Sequence, residues 1–241
     1  MLSKNQIKLI KSLHQKKYRT KNNLFIVEGV KGVNEFLNSH FSLEKLFCTE
    51  NFSNQLDSEI VEVISAVELK KISNLNSPNE VLGIFKIPKP KKQDLEKFSI
   101  VLDEINDPGN LGTIIRLCDW FGVEQLICSE NTVDCYNSKV VQSTMGSLSR
   151  VSIIYTDIKQ FIKYSNLPIY AAMMNGENVY KASLPENGIL VMGNEANGIS
   201  SEVSELITNK IAIPKFGKTQ LTESLNVATA TAILLSEFKR S

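Results

Sequence analysis

Ser99-Ile100-Val101-Leu102-Asp103-Glu104-Ile105-Asn106-Asp107-Pro108-Gly109-Asn110-Leu111-Gly112 decides the fold of this chain. Its first four residues form a near-continuous apolar strand, the pattern of a strand buried on both faces of a parallel sheet. Turn formers follow, and from Leu111 to Phe121 the pattern becomes helical. The unit then repeats. Strands are expected at Gln125–Cys128, Val151–Tyr155, Ile169–Ala172, Gly188–Met192 and Lys210–Ile213, with helices at Lys139–Leu148, Asp157–Tyr164 and Ser201–Ile207. Such alternation predicts an α/β domain on a doubly wound parallel sheet. Ligands of these sheets sit beyond the carboxyl ends of the strands.

Three loops leave strands at that end. The first is Asp103–Gly112, leading to Arg116 on the following helix; the second is Met192-Gly193-Asn194-Glu195-Ala196-Asn197-Gly198-Ile199; the third runs from Ile211-Ala212-Ile213-Pro214 to Glu223-Ser224-Leu225-Asn226. Any one is ordinary turn chemistry. Three of similar composition, each after a strand, point to a ligand site. The third enters a helix on which Val227, Ala230, Thr231, Leu234, Leu235 and Phe238 share one face. Ser224 and Asn226 stand before the free N–H groups of that helix, where caps and ligands both bind. Nucleotide cofactors are disfavoured: Gly109-Asn110-Leu111-Gly112 opens a helix, but G-x-G-x-x-G and G-x-x-x-x-G-K-[ST] are absent.

Upstream the chain changes character. Residues 1–98 hold sixteen Lys/Arg against eleven Asp/Glu, and residues 99–241 eleven against fifteen. Lys4, Lys8, Lys11, Lys16, Lys17, Arg19 and Lys21 have no acidic residue among them, which attracts polyanions. Ile7, Ile10 and Leu13 give this stretch an apolar helical stripe that runs into a basic loop, Gln15–Asn23. Tyr18 lies among the charges and can stack on an unpaired base, so Lys11, Lys16, Lys17, Tyr18, Arg19 and Lys21 are the candidate nucleic-acid contacts. Strands at Leu24–Val27, Lys45–Cys48, Val61–Ile64 and Val81–Phe85, with helices after Gly29, Glu50 and Ser65, make a small α/β domain over residues 1–86. Ile87-Pro88-Lys89-Pro90-Lys91-Lys92-Gln93-Asp94 continues neither helix nor sheet. Residues 87–98 are therefore a linker, and 99–241 the second domain.

Composition is that of a globular protein, 42% hydrophobic and 22% charged. No apolar run approaches the roughly twenty residues that span a bilayer, and Met1-Leu2-Ser3-Lys4-Asn5-Gln6 lacks the apolar core of a signal peptide. A cytoplasmic location is expected, without membrane attachment. Cys48, Cys118, Cys128 and Cys135 form no C-x-x-C pair, and with two histidines no metal site is expected.

Asp107-Pro108-Gly109-Asn110-Leu111-Gly112-Thr113-Ile114-Ile115-Arg116, then Val191-Met192-Gly193-Asn194-Glu195-Ala196-Asn197-Gly198-Ile199-Ser200, then Ile213-Pro214 with Glu223-Ser224-Leu225-Asn226-Val227, resemble the three ordered motifs of the SpoU/TrmH branch of the SPOUT RNA methyltransferases. Residues 1–86 are similar to the ribosomal-protein-like α/β substrate-binding domain that many members carry. The resemblance implies methyl transfer from S-adenosylmethionine to a ribose 2′-hydroxyl of RNA, a trefoil knot in the second domain, and a homodimer. Arg116 matches the arginine proposed to activate the hydroxyl, Asn110 the asparagine supporting it, and Glu195, Ser224 and Asn226 the polar residues completing the site. Met192, Gly193, Asn194, Ile213, Leu225 and Asn226 match cofactor contacts. One departure is that Pro214–Glu223 is a few residues longer than the family spacing, through Lys215–Thr222.

Ribosomal RNA is the expected substrate, because the separate first domain resembles that of ribosomal-RNA-modifying members. Transfer RNA is the alternative. A non-catalytic RNA-binding protein and a base methyltransferase are the competing readings. The intact Asn110, Arg116, Glu195, Ser224 and Asn226 set argues against the first, and Ser224-Leu225-Asn226 against the second.

Overall fold

The structure, a computed structural model, describes residues 1–52, 59–219 and 224–240. It divides into two compact units: Met1–Lys89 with Asp134–Arg150, and Pro90–Val133 with Val151–Ser241.

The first unit carries a mixed four-stranded sheet in the order β1-β4-β2-β3. β1 (Leu24–Glu28) and β2 (Leu43–Cys48) run antiparallel to β4 (Val81–Lys86), and β3 (Val61–Val63) runs parallel to β2. Side chains alternate across a strand, and that alternation builds two cores. Ile26 and Ile84 face α1 (Lys4–Ser12) and α4 (Ala66–Ile72), packing with Ile10, Leu13, Phe47, Leu69 and Ile72. Their neighbours Phe25 and Phe85 face the opposite side, in an aromatic cluster with Phe36 of α3 (Val30–Leu37), Phe41 and Tyr136. Helices α1 and α4 both begin with reciprocal capping boxes, Ser3 with Gln6 and Ser65 with Glu68, which satisfy otherwise free N–H groups.

Three features of this unit differ from the sequence reading. The expected basic loop Gln15–Asn23 is a helix, α2 (Lys16–Asn22), closed by Asn23 in the left-handed region at φ 55°. It lacks an apolar stripe because its anchor is polar: Arg19, buried to 2%, donates to the Leu13 carbonyl at 2.9 Å and grips Asp134 through Nε at 2.9 Å and Nη2 at 2.5 Å. The segment Asp134–Arg150, placed by sequence in the second domain, packs with the first unit. Tyr136 stacks 4.7 Å from Phe25, and Arg150 pairs with Glu35 at 2.5 Å. The helix expected at Lys139–Leu148 stops early as α6 (Ser138–Ser143), because Met145 and Gly146 take positive φ of 51° and 99° before a single turn at Ser147–Ser149. The helix expected after Glu50 falls largely on residues 53–58, outside the described residues.

The second unit is the expected parallel α/β sheet. Its six strands are β5 (Ser99–Leu102), β6 (Gln125–Cys128), β7 (Ser152–Tyr155), β8 (Ile169–Asn178), β9 (Ile189–Met192) and β10 (Asn209–Ala212), in the order β10-β8-β9-β5-β6-β7. All pairs are parallel. β5, β6 and β9 are buried throughout, as near-continuous apolar strands must be. On one face Val101, Ile127, Ile154 and Val191 pack with Ile158, Phe161 and Ile162 of α7 (Ile158–Tyr164) and with Val203 of α8 (Ser201–Ser204). α5 (Pro108–Trp120) and α9 (Val227–Phe238) pack against each other. β8 outruns its expected end at Ala172: after a register shift between Lys210 and Ile211, Glu177 and Asn178 pair with Ile211 and Ala212. Gly176 makes that approach possible, since a Cβ there would lie 2.5 Å from the Ile211 backbone.

Candidate active site

The chain passes from β5 to β6 on one side, while β9 lies on the other. The carboxyl ends of β5 and β9 thus flank a topological switch point, where open α/β sheets bind ligands. Leu102 pairs with Met192, so the first two loops leave the sheet side by side. They are stitched together. Asp103 donates its N–H to the Met192 carbonyl at 2.9 Å and accepts from the Ser200 N–H at 2.8 Å. Glu104 is left-handed at φ 60°; its N–H donates to Ser129 Oγ at 2.9 Å, and its carbonyl accepts from Asn194 Nδ2 at 2.7 Å. Sequence reading passed over Asp103 and Glu104 as struts, and only their position after a buried strand hinted at the role.

The second loop folds back on itself. Asn194 and Gly198 exchange both backbone hydrogen bonds at 2.9 Å, and Asn194 Oδ1 accepts from the N–H groups of Ala196 and Asn197. Gly198 supplies the required φ of 70°. At Gly193 a Cβ would sit 2.4 Å from the Gly198 carbonyl carbon, so only glycine fits. The Asn194 amide, expected at the cofactor, is therefore spent on shaping this loop.

Three of the expected site residues form one hydrogen-bonded chain. Asn226 caps α9, its Oδ1 accepting from Ala228 and Thr229 at 3.0 and 3.2 Å. With that oxygen committed, its Nδ2 is the free donor, and it gives a 2.8 Å bond to Asn110 Oδ1. Asn110 is thereby oriented with its own Nδ2 toward Glu195 Oε1, also at 2.8 Å. Asp107 fixes the Asn110 backbone by accepting its N–H at 2.8 Å as the cap of α5. The chain has one direction, from an amide donor to a carboxylate acceptor.

Beside it lies a cavity of about 680 Å³, within the size range of small-molecule sites. Met192, Gly193, Asn194, Glu195, Ile213, Ser224 and Leu225, all expected at the site, line it; Asn110, Arg116 and Asn226 do not. The third loop closes one side through Pro214 and Phe216. Sequence reading missed Met173 and Met174 of β8 and Ala230 and Leu234 of α9, which make the cavity's apolar wall. An open cradle edged by glycine backbone, with an apolar wall and a polar rim, suits a flat heterocycle joined to a polar tail. Gln220, Leu221 and Thr222 of the long loop, and Glu223, lie outside the described residues.

Arg116 stands apart. It is exposed and makes no hydrogen bond or ion pair among the described residues. Of the candidate nucleic-acid contacts, Lys11, Lys16, Lys17 and Lys21 are exposed, and Lys17 Nζ lies 4.8 Å over the Tyr18 ring. Arg19 is a correction: its guanidinium is buried on Asp134 and Leu13 and has no free face for RNA.

A parallel α/β domain with an oriented polar chain beside a ligand-sized cavity at its switch point is laid out to bind a small molecule. The SpoU rRNA methylase family pattern matches residues 97–236, and the MRM3-like substrate-binding domain matches residues 4–83. A TrmH-family RNA methyltransferase of Porphyromonas gingivalis superimposes with a TM-score of 0.89 at 39% identity, over 100% of this chain and 99% of that one. An rRNA methyltransferase of Sinorhizobium meliloti, solved with S-adenosylmethionine bound, gives 0.85 at 27%, over 100% and 96%. The 23S rRNA guanosine 2′-O-methyltransferase RlmP of Bacillus subtilis is 29% identical over 97% of this chain and 96% of its own. The chain belongs to the SpoU rRNA methylase family. It is an RNA 2′-O-methyltransferase that uses S-adenosylmethionine. No helix among the described residues is long and apolar enough to cross a membrane, and no cluster of three or more His, Cys, Asp or Glu among them could hold a metal.

Proposed function

We propose that this enzyme methylates a ribose 2′-hydroxyl of large-subunit ribosomal RNA in the cytoplasm, acting as a homodimer. The single observation that carries the site is the Asn226–Asn110–Glu195 chain at the edge of the cavity. A relative named for 23S ribosomal RNA, similar over 97% of this chain, supports that substrate over transfer RNA. The close backbone passage at Gly176 and Ile211 is compatible with the family's knot.

Met192, Gly193, Ile213 and Leu225 hold the cofactor, with Asn194 shaping the loop and Asn226 fixing the neighbouring helix end. When bound, S-adenosylmethionine supplies an electrophilic sulfonium methyl. The chain's own task is alignment and charge stabilisation. Arg116, which has no hydrogen bond or ion pair among the described residues, offers its guanidinium fork to the oxyanion that develops on the ribose 2′-oxygen as the hydroxyl proton passes to solvent. Asn110 holds Glu195 in a fixed orientation, leaving the second carboxylate oxygen and the Ser224 hydroxyl to position the nucleotide. Lys11, Lys16, Lys17, Tyr18 and Lys21 of the first unit hold RNA; Arg19 fixes α2 beneath them.

The test is transfer of labelled methyl from S-adenosylmethionine to unmodified total RNA, then alkaline hydrolysis. A 2′-O-methyl group removes the nucleophile that cleaves the next phosphodiester. Label in alkali-resistant dinucleotides from the large ribosomal RNA is expected; label in transfer RNA or in mononucleotides would overturn the substrate or the reaction.

A further inference from the structure

Phe216 lines the cavity and is nonetheless 83% exposed, so most of an apolar ring stands in water at the edge of a ligand-sized space. Its aromatic neighbour is Tyr180, with ring centroids 6.5 Å apart and planes inclined by 31°. The two rings are held differently. Tyr180 sits in the turn that ends β8: Asn178 Oδ1 accepts its N–H at 3.0 Å, the Asn178 carbonyl accepts from Lys181 and Ala182, and the buried Val179 donates its N–H to the Ala212 carbonyl at 2.9 Å. Phe216 stands on the third loop between Pro214 and Gly217, and neither Phe216 nor Gly217 makes a hydrogen bond among the described residues. A fixed ring thus lies beside one that is free to swing.

We propose that Phe216 stacks on the adenine ring of bound S-adenosylmethionine, with Tyr180 as the residue that positions it. The inference rests on the reading of this cavity as the cofactor site. Adenine is flat and presents two π-faces, each of which costs free energy if left in water. Met173, Met174, Ala230 and Leu234 give the cavity an apolar wall for one of them. Phe216 is the aromatic side chain among the lining residues, on the loop that closes another side, and supplies a ring for the second. Lys215 and Lys218 flank it and would also suit RNA, but Phe216 lines the same space as Gly193 and Leu225, which favours the cofactor. Asn110, Arg116 and Asn226 lie outside the lining, so Phe216 acts on cofactor affinity more than on the chemical step.

The test is equilibrium dialysis of the full-length chain with S-adenosylmethionine and with 5′-methylthioadenosine, which keeps the adenine ring and lacks the amino-acid tail. Phe216→Ala is expected to raise Kd about tenfold for both, the loss of one base stack, with the loss in turnover carried by KM for the cofactor more than by kcat. Phe216→Tyr should restore most of the affinity. Tyr180→Ala should weaken binding about threefold when Phe216 is present and have no effect in the Phe216→Ala background, because it acts only through that ring. Phe216→Trp gives an optical signal: titration with S-adenosylhomocysteine is expected to quench its emission beyond any change in the wild type, whose single tryptophan is Trp120. A wild-type Kd in Phe216→Ala, or a loss for S-adenosylmethionine with none for 5′-methylthioadenosine, overturns the proposal while leaving the methyltransferase reading intact. Emission of Phe216→Trp that answers to RNA but not to the cofactor assigns the ring to RNA, and emission that changes with protein concentration alone assigns it to a second copy; either overturns the proposal. Wild-type chain that binds no S-adenosylmethionine removes the cofactor reading with it.

Discussion

Asn226 and Asn110, 116 residues apart, are joined by a 2.8 Å hydrogen bond whose direction is fixed by the helix that Asn226 caps. A helix cap thereby sets the polarity of the whole hydrogen-bonded chain. Because the cap occupies Asn226 Oδ1, the Asn226 amide must donate, Asn110 must turn its own amide toward Glu195, and the site presents an oriented carboxylate.

Asn226→Asp and Asn226→Ala separate the two roles. Aspartate keeps an acceptor for Ala228 and Thr229, so thermal stability is expected to be preserved, but it offers Asn110 a second acceptor in place of a donor. Alanine loses the cap as well, at a cost of about 1 kcal/mol. Both variants are expected to lose at least about tenfold in kcat, the scale of one charge-stabilising interaction. Only alanine should lower Tm. Wild-type turnover in Asn226→Asp would detach the hydrogen-bonded chain from catalysis.

Arg116→Ala is expected to abolish transfer, by about a hundredfold or more, with cofactor binding measured by equilibrium dialysis unchanged. Arg116 lines no part of the cavity. Arg116→Lys keeps the charge without the fork and should recover only part of the rate.

Gly193→Ala places a methyl group 2.4 Å from backbone at Gly198 and Ile199, with no flexible side chain to give way. The loop must open, so cofactor affinity is expected to fall while the global fold, read by far-UV circular dichroism, persists.

Arg19 and its basic neighbours should behave oppositely. Arg19→Met leaves the half-buried Asp134 without its cation and is expected to cost about 3 kcal/mol in chemical denaturation. Lys16→Ala and Lys17→Ala, at exposed positions, should stay within about 0.5 kcal/mol of wild type. Each should weaken RNA binding and reduce its salt slope by about one. Equal effects from all three would contradict the division between anchor and contact.

His14 gives a pH dependence. Burial, then the nearby Arg19 guanidinium, hold its pKa below the ordinary 6.5; the Ile72 backbone opposes them weakly, and neither ring nitrogen has a hydrogen bond of good geometry. The unfolded chain therefore takes up a proton near that value while the folded chain stays neutral. Stability is expected to fall as the pH drops through about 6.5 and to level off below the folded pKa. Urea midpoints for wild type and His14→Asn should converge at low pH, and a constant difference would exclude the linkage.

Much of this was legible in residues 99–241 because the information there is local. β5, β6 and β9 announce themselves as unbroken apolar runs, and Asn226 reads as a cap from its place before Val227. The three loops were marked by glycine and asparagine, residues that tight turns demand. Strand ends were missed by one or two residues, and the extension of β8 to Asn178 was invisible, since its partner Ile211 lies more than thirty residues on. Lys139–Leu148 read as one helix because helical periodicity does not register a left-handed Met145.

The sequence alone determined the parallel α/β architecture, the order of the three loops, the residue types at their tips and the basic character of the first twenty-two residues. Each is written in neighbouring residues, through side-chain periodicity and turn chemistry. Only the tertiary structure decided that Asn110, Glu195 and Asn226 meet while Arg116 pairs with none of the described residues, that Asn194 braces a loop, and that Arg19 is an anchor on Asp134. Those outcomes depend on which polar groups find partners more than eighty residues away, and pairing over such distances is settled by packing.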